Sequence, residues 1–145
     1  QSNLLNRYNG YTDALKKYND TTSVIFLEES LHGDKLKTAR RLFTKKIITS
    51  LPDVIITSND LIAQGIISAA HENGINIPND MQITGFDDSL SSAYFIPSVT
   101  TVSQNIDKLA KRCFSMLMDL INKKSAVSSI IEQNIIARNS AKINI

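Results

Sequence analysis

The sequence predicts an α/β fold built on a doubly wound parallel sheet. Short apolar segments rich in β-branched residues alternate with amphipathic segments of helical length, and no internal repeat interrupts this alternation. The length of 145 residues corresponds to about one domain. The hydrophobic fraction of 42% and the charged fraction of 21% are ordinary for a globular protein.

The first half of the chain predicts two helices, each followed by a strand. Leucines and tyrosines recur at three- and four-residue spacing over about residues 4–18, which predicts an amphipathic helix. Residues 23–27 are a short apolar run typical of a buried strand. A second amphipathic helix is predicted over about residues 36–48, with its basic residues mostly on the solvated face and Pro52 ending it. Residues 53–57 form the next predicted strand.

The second half continues the same alternation. Asn59 or Asp60 is the predicted N-cap of a helix that extends to about Asn73 and is closed by Gly74. The remaining predicted elements are a strand at 81–85, a loop at 89–97, an extended segment at 99–102, an apolar helix capped by Asp107 and extending to about Lys123, and a strand at 129–137.

Charge and cysteine content limit the kind of protein. The formal net charge is +2, which is too small and too dispersed to predict nucleic-acid binding by this segment itself. The single Cys113 excludes an intrachain disulfide and suits a reducing cytoplasm. No apolar run approaches the roughly 20 residues that a membrane span needs. Because the chain begins at Gln1, without an initiator Met or a signal-peptide pattern, we interpret it as a piece of a longer protein.

Motifs for catalysis, metals and cofactors are absent from the sequence. No glycine belongs to a dinucleotide-binding or phosphate-binding motif. His32 and His71 have no partners at metal-ligand spacing, and Cys113 lies among apolar residues of its predicted helix, where core packing is expected. We therefore expect no catalytic residue, no cofactor and no metal site.

Polar side chains collect where two neighbouring strands end. Gly85-Phe86-Asp87-Asp88 follows one strand, and Asn59-Asp60 follows the strand before it. In a parallel α/β sheet, ligands bind at the carboxyl ends of the strands. Carboxylate oxygens at that edge accept hydrogen bonds from a polyhydroxylated ligand, so the sequence favours a small-molecule sensor over a catalyst.

The order and spacing of these motifs resemble the effector-binding domain of LacI/GalR-family bacterial transcription repressors. The matching segments are an Arg-x-x-Gly-aromatic turn at 7–11, the run from Pro52 to Asp60, Ala63 and Gly65, residues 74–80, the Gly85–Asp88 turn, Pro97, residues 100–104, and residues 136–140. Together they cover most of the chain.

The resemblance implies a type I periplasmic-binding-protein-like fold of which this chain is mainly the second lobe. Residues 1–103 and 128–145 would form that lobe, and residues 104–127 would be a crossover helix belonging to the first lobe. A sugar-like effector would contact Arg7, Asn59, Asp87 and Gln104. A homodimer would form through Gln64 and Phe95.

The same resemblance implies a cytoplasmic transcription regulator that binds operator DNA through an N-terminal headpiece outside this sequence. One rival is the sugar-binding protein of an ABC transporter, which shares the fold; a helix-turn-helix or a signal peptide upstream would distinguish the two. A second rival is an enzyme on a doubly wound fold, which would need a nucleophile–base pair or a metal cluster. The sequence offers neither.

Overall fold

The computed structural model describes residues 2–18 and 33–143. Its helices are α1 (Ser2–Lys17), α2 (Lys35–Leu42, continued by a π-helical turn over Phe43–Ile47), α3 (Asp60–Glu72), α4 (Leu90–Tyr94) and α5 (Ile106–Ile121). Its strands are β1 (Val54–Ile56), β2 (Gln82–Phe86), β3 (Thr100–Ser103) and β4 (Asn134–Ile136). The α/β class is confirmed. The strand predicted at 23–27 and His32 lie outside the described residues.

The four strands form one sheet in the order β1-β2-β3-β4. The first three are parallel, with Val54 opposite Gln82 and Thr84 opposite Thr100, whereas β4 is antiparallel to β3. The sheet is therefore mixed rather than wholly parallel. A parallel neighbour requires a crossover packed on the sheet, but α5, which joins β3 to β4, buries none of its residues. After α5 the chain returns beside β3 in the opposite direction.

The core lies between α2, α3 and the sheet. Phe43 from the π-helical turn, Ile67 from α3 and Ile83 from β2 are all buried. Burial alternates along β2, as expected for a strand with one face on a helix layer. This packing fixes the carboxyl ends of β1, β2 and β3 at a common edge, where the polar motifs lie.

The predicted ends of α3 are confirmed. Asn59 has extended backbone angles and its side-chain oxygen accepts a hydrogen bond from the N–H of Ile62, which is N-cap geometry. Gly74, two residues after the helix, has a φ of +72°, which glycine adopts without a steric penalty.

Other boundaries were predicted wrongly. The loop expected at 89–97 contains α4, which is too short to produce a readable apolar period. The N-cap residue of α5 is Asn105, with a φ of +51°, and not Asp107. Asp107 lies in the first turn, where its carboxylate interacts favourably with the helix dipole. The last strand covers Asn134–Ile136 rather than all of 129–137.

Helix α5 presents its apolar side chains to solvent. Phe114, Leu117 and Ile121 are 65%, 53% and 63% exposed. Cys113 is exposed as well, so the expectation that it packs in a core is wrong within the described chain. Among the helices of residues 2–18 and 33–143, none has the length and apolar character needed to traverse a bilayer.

Candidate ligand-binding site

The turn after β2 gives each of its residues a different contact. A Cβ atom at Gly85 would collide with Asp60 Oδ1, so only glycine allows the carboxylate of α3 to approach the strand this closely. Phe86 lies beneath Arg7, whose Cζ is 3.5 Å from the ring centroid. Asp87 and Asp88 then point their carboxylates to different partners, Gln104 and Arg138.

Arg7 is held by two contacts that fix the plane of its guanidinium. Its Nη1 donates to the carbonyl oxygen of Ser58 at 2.7 Å, and its face lies over the Phe86 ring. Guanidinium groups stack on aromatic rings and present a planar set of donors to oxygen acceptors. Arg7 is thus a pre-oriented donor at the carboxyl end of β1.

Asp87 and Gln104 form a bonded pair at the ends of β2 and β3. Gln104 Nε2 donates to Asp87 Oδ1 at 2.6 Å, and the backbone N–H of Asp87 donates to Val102 O at 3.0 Å. Asp87 Oδ2 has no partner elsewhere in residues 2–18 and 33–143. Within the described residues, the pair therefore presents an unbonded carboxylate oxygen and an amide oxygen.

Asn59 is the N-cap of α3 and also lies on the cleft. Its Oδ1 caps α3 through the N–H of Ile62 at 3.0 Å, and its side chain also lines the cleft at this edge of the sheet. Capping uses the amide oxygen, so the amide NH₂ is left as a donor.

The cleft has a volume of about 300 Å³. Its lining residues are Leu4, Arg7, Lys35, Ser58, Asn59, Ile62 and Asp87. Of the predicted ligand residues, Arg7, Asn59 and Asp87 line it, whereas Gln104 does not line it and is bonded to Asp87. A cleft at the low end of the volume range for ligand sites, with donors and acceptors on different walls, suits a small polar molecule.

The sequence analysis placed Asp60 at this edge of the sheet but gave it no role in the site, and it gave no site role to Lys35 or Arg138. Lys35 was grouped with the solvated basic face of its helix, yet it lines the cleft. Asp60 looked like an alternative helix cap, but its carboxylate is buried against the 85–89 turn. The only signal in the sequence for the role of Asp60 was that the two polar pairs, Asn59-Asp60 and Asp87-Asp88, follow neighbouring strands.

Of the two residues predicted at a dimer interface, Gln64 lies in α3 and contacts α4, and Phe95 directly follows α4. Gln64 is only 3% exposed, and its Nε2 donates to the hydroxyls of Ser91 and Ser92 at 2.8 and 3.2 Å. Phe95, directly after α4, is half-buried against the core. The outer surface of this segment is instead apolar and exposed, because Leu90, Tyr94 and Ile96 are 78%, 78% and 87% accessible.

No cluster of three His, Cys, Asp or Glu side chains suited to a metal occurs in the part of the chain that the structure describes. His71 is exposed in the last turn of α3. The polar side chains that line the cleft, such as Arg7, Asn59 and Asp87, are suited to hydrogen bonding with a ligand.

The structure is an α/β domain with a polar cleft at the carboxyl ends of its strands, and comparison with known proteins gives its family. Residues 3–141 match the model of the periplasmic binding protein-like domain. The chain belongs to this family, in the form found in the effector-binding domains of LacI/GalR-type regulators.

Relatives and solved structures agree with this assignment. The HTH-type transcriptional repressor PurR of Pectobacterium atrosepticum is 30% identical over 131 residues, which are 87% of this chain and 37% of that protein. A periplasmic binding protein/LacI transcriptional regulator from Alkaliphilus metalliredigens, complexed with D-xylulofuranose, is 26% identical with a TM-score of 0.76, covering 92% of this chain and 50% of that one.

A LacI family transcriptional regulator from Enterococcus faecium with bound ribose has a TM-score of 0.83 at 24% identity, covering 97% of this chain and 52% of that chain. That likeness establishes the fold. The chain spans about half of these solved chains and 28% to 37% of the curated repressors from Pasteurella multocida and Pectobacterium atrosepticum.

Proposed function

We propose that this chain is the effector-binding and dimerising part of a LacI/GalR-type transcriptional regulator and binds a sugar-like small molecule. Residues 1–103 and 128–145 form the second lobe of the domain, and residues 104–127 belong to the first lobe. The whole regulator binds operator DNA through an N-terminal headpiece outside this sequence and acts in the cytoplasm without catalysing a reaction.

The observation that carries the proposal is the convergence of Arg7, Asn59 and Asp87 on one cleft, with Gln104 bonded to Asp87. A vicinal diol both donates and accepts hydrogen bonds at neighbouring oxygens. Arg7 and the Asn59 amide supply donors, whereas Asp87 Oδ2 and the Gln104 amide oxygen supply acceptors. This mixture matches a polyhydroxylated ligand better than an apolar one.

Sugar binding has support from a related structure. The regulator from Alkaliphilus metalliredigens is complexed with D-xylulofuranose and is 26% identical to this chain. A pentose of that size is compatible with a cleft of about 300 Å³. Lys35 and Arg7 add two cations to the lining against the one carboxylate of Asp87, so sugar phosphates belong in the same ligand class to be tested.

The exposed helix α5 supports the assignment of residues 104–127 to the first lobe. None of its residues is buried, and its apolar side chains would be covered if the rest of the first lobe packed on them. Burying one large aliphatic side chain contributes roughly 1.5–3 kcal/mol, so a helix with several of them in water favours a covering partner.

A homodimer through the α4 segment fits the same picture. Leu90, Tyr94 and Ile96 form an exposed apolar surface. On the buried side of α4, Gln64 holds the helix through hydrogen bonds to Ser91 and Ser92. Phe95 anchors the end of the segment to the core. Symmetric pairing of such a patch with its own copy is the commonest arrangement in soluble oligomers.

The test is a thermal-shift screen of the full gene product against D-xylulose, D-ribose, other pentoses and hexoses, and their phosphates. The proposal predicts that at least one of them raises the unfolding midpoint, since a ligand that binds only the folded state stabilises it. That ligand should also change the affinity of the protein for its operator in a mobility-shift titration. Binding without any effect on DNA affinity would instead favour the transporter alternative, and no shift with any sugar would contradict the proposal.

A further inference from the structure

Two consecutive residues with positive φ follow β2. Asp87 has a φ of 112° and Asp88 a φ of 54°. Residues that carry a Cβ rarely adopt such angles, and those that do persist only where the surrounding structure fixes them. The Asp87–Asp88 turn therefore needs contacts that hold it, and these contacts identify the residues that position Asp87.

Asp60 holds the turn from the first residue of α3. Its side chain is buried, with the residue only 1% exposed. Oδ2 accepts a hydrogen bond from the backbone N–H of Ser89 at 2.7 Å, and Oδ1 accepts one from Thr101 Oγ1 at 2.6 Å. The same Thr101 oxygen accepts from the N–H of Asp88 at 3.3 Å. Two successive N–H groups of the turn are thus fixed by Asp60, one directly and one through Thr101.

Arg138 holds the turn from the opposite side. Its Nη2 donates to Asp88 Oδ1 at 2.6 Å, and its Nη1 donates to Val99 O at 2.9 Å. The two side chains of the ion pair are only 18% and 26% exposed. A guanidinium spans the two acceptors with a rigid fork, which a lysine ammonium does not reproduce.

We propose that Asp60 and Arg138 are positioning residues of the ligand site, which hold the Asp87–Asp88 turn so that Asp87 Oδ2 faces the cleft. Neither residue contacts the ligand in this account. This inference rests on the proposed function, because it assigns Asp87 to the ligand. It adds that the affinity of the site depends on two side chains that line no part of the cleft.

The first test substitutes Asp60→Asn in the full gene product. The asparagine has the same shape, but one acceptor oxygen becomes an NH₂ donor, so either the Ser89 N–H or the Thr101 hydroxyl loses its acceptor. We expect amide exchange at Asp88 and Ser89 to accelerate at least tenfold. We also expect a loss of at least tenfold in affinity for D-xylulose, or for the sugar with the largest wild-type shift in the screen.

Glu72→Gln is the matched control. Glu72 lies at the other end of the same helix and its carboxylate is paired with Arg40 at 2.7 Å, so the substitution also converts a paired carboxylate to an amide. Ligand affinity and exchange at the 87–89 turn should stay within twofold of wild type. A comparable loss in this variant would show that any weakening of α3 suffices, which would contradict the inference.

Arg138→Lys provides a second test on a residue that is not in the core. It keeps the charge but loses the fork, and we expect a loss of at least fivefold in affinity, with Arg40→Lys as the matched control. In an Asp88→Gly background, which allows the positive φ but removes the oxygen that accepts from Arg138 Nη2, Arg138→Lys should change affinity by less than twofold. This non-additivity is a readout that general destabilisation would not give.

The outcomes separate this inference from the proposed function. A wild-type protein that binds no sugar or sugar phosphate contradicts the proposed function, and amide exchange then still decides whether Asp60 and Arg138 order the turn. If wild type binds but both variants keep its affinity, the positioning role is wrong while the proposed function stands. If Asp60→Asn does not fold, the Arg138→Lys cycle decides alone.

Discussion

The guanidinium carbon of Arg7 lies 3.5 Å from the centre of the Phe86 ring. Arg7 belongs to α1 and Phe86 ends β2, so this stacked pair brings a donor from the first helix to the edge at which the strands end. Asp87, the next residue after Phe86, lines the same cleft as Arg7. The stacked pair therefore holds a guanidinium on the same cleft that the Asp87 carboxylate lines.

Phe86→Leu tests that relationship. The substitution keeps an apolar side chain but removes the ring face beneath Arg7, so the guanidinium loses its orientation. A cation–π contact of about 0.5–2 kcal/mol corresponds to a loss of roughly twofold to thirtyfold in ligand affinity, measured by calorimetry. Tyr18→Leu is the control, because Lys17 lies 5.9 Å from that ring, which is 75% exposed and does not line the cleft. Equal effects of the two substitutions would mean that stacking at Phe86 has no special part in binding.

Gly85→Ala should destabilise the fold. The added methyl group would collide with Asp60 Oδ1, which is fixed in the interior by Ser89 and Thr101. Overpacking of this kind costs typically 1–3 kcal/mol in the free energy of unfolding, which urea denaturation measures.

Gly10→Ala is the contrasting substitution for that experiment. A Cβ at Gly10 meets no atom within 4 Å, and the residue lies inside α1. Alanine there should raise the free energy of unfolding by roughly 0.5–1 kcal/mol. If Gly85→Ala were as well tolerated as Gly10→Ala, the close approach of Asp60 to β2 would be wrong.

Ile96→Asp should break the proposed homodimer. Ile96 is 87% exposed at the end of the α4 segment, whereas Phe95 is packed on the core, so a charge at Ile96 tests the surface without disturbing the fold. At about 100 µM even contacts of micromolar affinity are populated, so light scattering at this concentration should report a dimer for the wild type. Ile130→Asp, at a residue that is 95% exposed in the segment after α5, should leave the dimer intact. A dimer that survives Ile96→Asp lies on another surface.

The exposed thiol of Cys113 reports on what covers α5. In the 145-residue chain we expect a thiol reagent such as dithionitrobenzoate to modify Cys113 at a rate near that of a free thiol, because the side chain is exposed. In the longer product that our domain assignment requires, the first lobe should slow the reaction at least tenfold. Equal rates would remove residues 104–127 from the interface between lobes.

Features with a local cause could be predicted from the sequence. Apolar spacing located α1 and α2, and the backbone preferences of Asn59 and Gly74 gave the ends of α3. The candidate ligand residues came from a resemblance of motifs, and three of them, Arg7, Asn59 and Asp87, line one cleft in the structure.

Features caused by long-range contacts could not be predicted in this way. Asp60 and Thr101 are 41 positions apart, and Asp88 and Arg138 are 50 apart, so no local pattern links them. Burial of Gln64 depends on the serines of α4, a helix too short for its period to be read. The antiparallel pairing of β4 with β3 likewise has no local signal in the sequence.

The central claim is that Asp87 binds the ligand, and calorimetry of Asp87→Ala in the full gene product tests it most directly. Loss of charge-assisted hydrogen bonds of about 1.5–3 kcal/mol each predicts at least a tenfold weaker affinity for the sugar that wild type binds, with an unchanged circular dichroism spectrum. Asp53→Ala, which removes an exposed carboxylate beside the opposite end of β1, should leave affinity within twofold of wild type. Wild-type affinity in Asp87→Ala would contradict the account.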